Sequence, residues 1–156
     1  MFADAQLARR LETAEAEIQT LESIDLFFAW FSKGTSHVAL QQYADAAIAF
    51  DQAFSLYNNL DNTAKQRPYR MMWYQTGPYF AYYYSTRYQD VIDLANTTLT
   101  QTISKPTLEE SLLWRGRAYY MIGEAQKAID DYRAALKIHV NWGPAVQALQ
   151  DLGVVP

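Results

Sequence analysis

Two stretches of this chain repeat one pattern of large and small residues, and that pattern limits the fold more than any other feature. AWFSKGTSHVALQQYADAAIAFDQAF (residues 29–54) and LLWRGRAYYMIGEAQKAIDDYRAAL (residues 112–136) each place a large residue four positions before a glycine: Trp30 before Gly34, Leu112 before Gly116. An alanine stands twelve positions after each glycine (Ala46, Ala128), an aromatic four further on (Phe50, Tyr132) and another alanine three beyond (Ala53, Ala135). Small residues at such points let two antiparallel helices approach closely, while large ones fill the space between neighbouring pairs. The expectation is an all-α chain of helix-turn-helix units. Half of the 156 residues are hydrophobic and 19% are charged, enough apolar material for a core in a single domain.

The pattern resembles the tetratricopeptide repeat, a helix-turn-helix unit of about 34 residues. In residues 109–142, Gly116, Tyr119, Gly123, Ala128, Tyr132 and Ala135 fall on the family's signature positions. In residues 27–60, Trp30, Gly34, Tyr43, Ala46, Phe50 and Ala53 do so, with Lys33 where leucine is usual and His37 where tyrosine is usual. A middle copy has drifted. RYQDVIDLANTTL puts Tyr88 on the aromatic before the second helix and Val91, Ala95 and Thr98 on the alanine, aromatic and alanine places. Tyr82 takes the core tyrosine position, but Tyr79 and Pro78 stand where glycine and leucine belong, and Gly77 with Trp73 would restore the pattern after a two-residue insertion. Proline breaks a helix interior and suits a first turn, so Gly77-Pro78 is expected to kink a helix or start a fresh one.

The resemblance implies a solenoid of about three repeats: an N-terminal helix (1–24), repeats at 25–60, 66–106 and 107–142, and a capping helix at 143–153. NNLDNTAKQRP forms a longer connection after the first copy. Thr107 with Glu110 reads as a capping box, Ser23 or Asp25 as a cap, and Pro144 and Gly153 as the start and stop of the last helix. On the first helix Leu7, Leu11, Ala14, Ile18 and Leu21 keep one apolar seam. That seam either packs within the domain or joins two copies as a homodimer.

Little in the sequence points to chemistry. With no cysteine, disulfides, thiolate metal sites and cysteine nucleophiles are excluded. The net charge of −4 argues against nucleic acid or an anionic bilayer as the main partner. No apolar run approaches the roughly 18–20 residues that span a bilayer; the longest, LFFAWF, has six. His37 and His139 fall on a core position and after the last repeat helix, so no metal site is expected. The glycines are too scattered for a phosphate-cradling loop, and no cofactor is implied. Glu109-Glu110 opens a helix, where acids favour the dipole, and Asp130-Asp131 is read as part of a polar helix face. Asn96-Thr97-Thr98 fits a glycan acceptor but lies within an expected helix. The expectation is a protein that is not an enzyme.

Surface recognition remains. YFAYYYSTRY, residues 79–88, packs six rings into ten positions, and at roughly 150–250 Å² each they cannot all face water. In the tetratricopeptide family the first helices of successive units line a concave groove. Carried onto this chain, that groove holds Phe31, Phe80, Tyr83, Tyr84, Leu113, Arg117 and Tyr120. It is aromatic, with one cation, and suits a protein or peptide that inserts apolar side chains. Family members that clamp a C-terminal carboxylate use lysine and asparagine where this chain has Phe31, Thr35, Thr76 and Phe80, so that role is not expected. Alternatively, a terminal helix folds back into the groove and the rings are core.

A second resemblance concerns setting. LESID, PYRMMWYQTGPYFAYYYSTRYQDVIDLA and EESLLWRGRAY are similar to a repeat module of bacterial proteins, many from Chloroflexi, that also carry a C39-like cysteine peptidase domain. It implies the non-catalytic, structural portion of an exported or surface protein; a complete chain starting MFADAQLARRLETAEAE would be cytoplasmic, because acids stand where a leader has its apolar stretch.

Overall fold

The computed structural model describes residues 2–18, 23–60, 75–100 and 108–156. Trp73, Leu21, Thr107 and positions 61–68 of the long connection lie outside these residues. Among the described residues there are eight α-helices and no strand. The chain divides into two compact units, Met1–Ser85 and Thr86–Pro156, so the division falls inside the middle copy.

The first unit contains α1 (Phe2–Ile18), α2 (Ser23–Ala39), α3 (Tyr43–Asn59) and α4 (Gly77–Tyr84). α2 packs against the other three, and α4 also packs on α3. A helix with three neighbours needs apolar residues on more than one face; LFFAWF supplies them, burying Phe27, Ala29 and Phe31. Phe31 meets Phe50 edge-on at 5.0 Å between centroids, with Phe27 at 5.7 Å and Phe54 at 6.4 Å. Gly34 makes this possible, since a Cβ there would lie 2.7 Å from the Phe50 ring. α4 starts fresh at Gly77 with Pro78 in its first turn, and a Cβ on Gly77 would meet the same Phe50 ring at 3.3 Å. The Tyr82 hydroxyl donates to Asp51 Oδ1 at 3.0 Å, tying α4 to α3. α1 packs along α2, and of its seam Ala14 is buried and Leu7 and Leu11 are half-buried.

The second unit contains α5 (Tyr88–Thr100), α6 (Leu108–Met121), α7 (Ala125–Ile138) and α8 (Gly143–Asp151), each packed on the next. Gly116 repeats the role of Gly34: a Cβ there would lie 2.5 Å from the Tyr132 ring and 3.2 Å from the Ala128 carbonyl oxygen. Leu113, Ala128, Tyr132 and Leu149 form one core cluster, and Leu112, Ala135 and Ala145 another, so α8 completes the core of the last helix pair. Asp131 departs from the polar-face expectation. It is buried, and its carboxylate accepts both forks of Arg115, from Nε at 2.8 Å and Nη2 at 2.6 Å, while Nη1 donates to Asn96 Oδ1 at 2.8 Å. Asn96 is therefore a half-buried acceptor that links α5 to α6.

Three short links share a middle residue with left-handed φ. Residues 40–42, 85–87 and 122–124 each join two helices, and their middle residues, Gln41, Thr86 and Gly123, have φ of 58°, 63° and 86°. In the outer two links the last N–H reaches back across the turn: Gln42 to the His37 carbonyl at 2.9 Å, Glu124 to the Tyr119 carbonyl at 2.8 Å. Glycine adopts this left-handed backbone without cost; glutamine and the β-branched threonine do not. Asn141 and Gly153 turn the chain likewise before and after α8.

Candidate protein-interaction surfaces

The seven residues expected to line a groove separate into core and surface. Phe31 and Leu113 are 0% and 3% exposed, Phe31 among the rings of the first unit and Leu113 in the cluster with Ala128, Tyr132 and Leu149. The expected groove role therefore gives way to packing, because α2 is enclosed by three helices and Leu113 shares a core with Leu149 of α8.

In the first unit the remaining three meet on α4. Tyr84 is 52% exposed, and its ring contacts Phe80 at 5.9 Å, Tyr83 edge-on at 5.3 Å and Tyr43 at 4.8 Å. Phe80, Tyr83 and Tyr43 are half-buried. Fixed aromatic rings lose little conformational entropy on binding and present a large apolar area, so such a cluster suits partner contact. Tyr43 was legible only as a repeat position. Its place at the first residue of α3, just after the turn, brings it to the end of α4.

In the second unit Arg117 and Tyr120 lie on α6. Tyr120 is half exposed, as are Met121 and Ile122 beside it. The Arg117 guanidinium lies 4.7 Å over the Trp114 ring, which restricts where the cation can point. Trp114 was not among the expected site residues. It stands three positions before Arg117, a spacing that places the two on one helix face. One turn earlier, Glu110 is partly buried, and burial pushes its carboxyl above its ordinary value; Glu109 adds to the rise, while Arg117 and a hydrogen bond involving Trp114 oppose it.

Among the described residues, no group of three or more His, Cys, Asp or Glu could hold a metal ion, and no helix is long and apolar enough to cross a membrane. No family model and no solved structure matches this chain. A curated protein does: the RNA polymerase-associated protein CTR9 of Saccharomyces cerevisiae is 32% identical over 92 residues. The match takes in 57% of this chain but spans only 8% of the yeast protein's length. That partial likeness hints at helical repeats of the kind expected from the sequence.

Proposed function

We propose that this chain is a non-catalytic protein-binding scaffold of tetratricopeptide type, which takes apolar side chains of a protein or peptide on the α4 aromatic surface. One observation carries the reading: Tyr84, half exposed, rests on the rings of Tyr43, Phe80 and Tyr83. Arg117, Tyr120 and Met121 offer a second contact face in the other unit. The likeness to CTR9 supports a helical scaffold for protein contact, and the polymerase association in that protein's name belongs to it alone.

Selection from a phage-displayed peptide library tests the reading. Peptides with aliphatic or aromatic anchors are expected, and Tyr84→Ala should weaken them about tenfold or more while leaving the melting temperature nearly unchanged. Selected peptides that bind Tyr84→Ala as tightly as the parent would overturn it. A second reading, a structural spacer or self-association module of an exported, peptidase-linked protein, is favoured by the half-exposed Leu7 and Leu11 on α1. It requires a dimer in solution that deletion of residues 1–22 abolishes.

A further inference from the structure

Both departures of the first copy from the repeat pattern, Lys33 and His37, line one cleft. A cavity of about 300 Å³ is walled by Trp30, Lys33 and His37 of α2, by Asp45 and Ile48 of α3, and by Glu15 of α1. Ligand pockets begin at about this size, enough for one long side chain. Lys33 Nζ is 3.2 Å from Glu15 Oε1 and 4.9 Å from the Trp30 ring centre. His37 is buried, with Nδ1 2.7 Å from Gln42 Oε1. An amide oxygen only accepts, so Nδ1 is the donor in this contact. Asp45 is exposed, and no hydrogen bond or ion pair holds it among the described residues. With Lys33 matched to Glu15, the charge left over is the Asp45 carboxylate.

The third copy fills the corresponding positions with different side chains. Arg115 corresponds to Lys33, Asp131 to Ala49, Tyr119 to His37 and Lys127 to Asp45. There Asp131 fills space and pairs with Arg115, and Lys127 Nζ lies 5.4 Å over the Tyr119 ring. In the first copy alanine replaces that acid, histidine replaces the tyrosine and an acid replaces the lysine. Side-chain volume is removed and the sign of one charge is reversed.

We propose that the α1–α2–α3 cleft binds an aliphatic organic cation: the ammonium or guanidinium of a lysine or arginine side chain, or of a small amine. The stem lies on Trp30 and Ile48, and the charge meets Asp45. This surface is separate from the α4 aromatic cluster and does not depend on it.

The test is an NMR titration following the indole N–H of Trp30, assigned with Trp30→Phe. The probes are butylammonium chloride, acetyl-Ala-Lys-Ala-amide and uncharged pentan-1-ol. A saturable shift is expected with a cation and not with the alcohol. Response to both cations or to butylammonium alone points to a small amine as sufficient, and response to the peptide alone points to a partner's side chain. Asp45→Asn should weaken binding roughly fivefold, and Ala49→Asp, which restores the acid of the third copy, should abolish it. Tyr84→Ala should leave it unchanged. Ala49 is buried, so if Ala49→Asp misfolds the exposed substitution Asp45→Asn decides alone, its fold checked by circular dichroism. Equal response to pentan-1-ol, no saturation, or unaltered binding by Asp45→Asn overturns the proposal.

Discussion

The α2–α3 pair and the α6–α7 pair share a turn and a glycine under an aromatic ring, yet they hold their helices together with different chemistry. In the first, Phe27, Phe31, Phe50 and Phe54 make a chain of ring contacts, and the cation of Lys33 reaches out to Glu15 on α1. In the second, the corresponding cation, Arg115, turns inward to a buried carboxylate and an amide, and the core beside it mixes small and aliphatic residues with the single buried ring of Tyr132 between the helices. The repeat frame thus specifies spacing and backbone approach, while the filling is free to vary. Such variation goes with a cleft in one copy and a buried ion pair in the other.

The largest expected effect breaks the aromatic side of this comparison. Phe31 is fully buried, so Phe31→Ala loses both transfer free energy and packing, about 4 kcal/mol. Urea denaturation checks it. A loss under about 1 kcal/mol would mean that the ring is dispensable to the core, and would reopen a surface role for Phe31.

Next comes the ionic side. Asp131→Ala removes the carboxylate that accepts both forks of Arg115, and breaking a buried pair costs about 3 kcal/mol. Replacing both partners together, as Arg115→Met with Asp131→Leu, should recover most of that loss, because two desolvated charges and their attraction nearly cancel. A double variant as unstable as Asp131→Ala would show that the pair itself, and not relief of an orphaned charge, sets the stability.

These two cores also show what could be read beforehand. Gly34 with Phe50 and Gly116 with Tyr132 revealed the outer copies because each glycine exists to receive its ring. At the same spacing the middle copy has Tyr79 and Ala95, both buried, with the large residue on the earlier helix. A search for small then large therefore finds that copy only through its second half. The start of α4 at Gly77 was legible because proline admits few alternatives. Burial of Phe31 and Leu113 was not. Repeat position assigns a side chain to a helix face, but which faces are covered depends on neighbours such as α4 and α8, which the local pattern does not encode. The pairing of Arg115 with Asp131 spans α6 and α7 and was hidden for the same reason.

The smallest effect concerns Glu110, which extends the ionic character of α6 toward its exposed face. Burial holds its proton more tightly in the folded chain than in the unfolded one, and Arg117 offsets this only in part. A group of this kind favours the fold while protonated. Its contribution is fully present below the ordinary carboxylate range and is lost as pH rises through that range to the raised folded value. Glu110→Gln cannot ionise, so the variant should lose less stability than the parent across that window and match or exceed it at neutral pH. Thermal melts of both proteins between about pH 3 and pH 7 isolate the effect, because the other carboxylates are common to both and cancel in the difference. A difference curve of opposite sign would mean that attraction to Arg117 outweighs burial. Arg117 would then be committed to Glu110, and the α6 face would present Tyr120 and Met121 without a free cation.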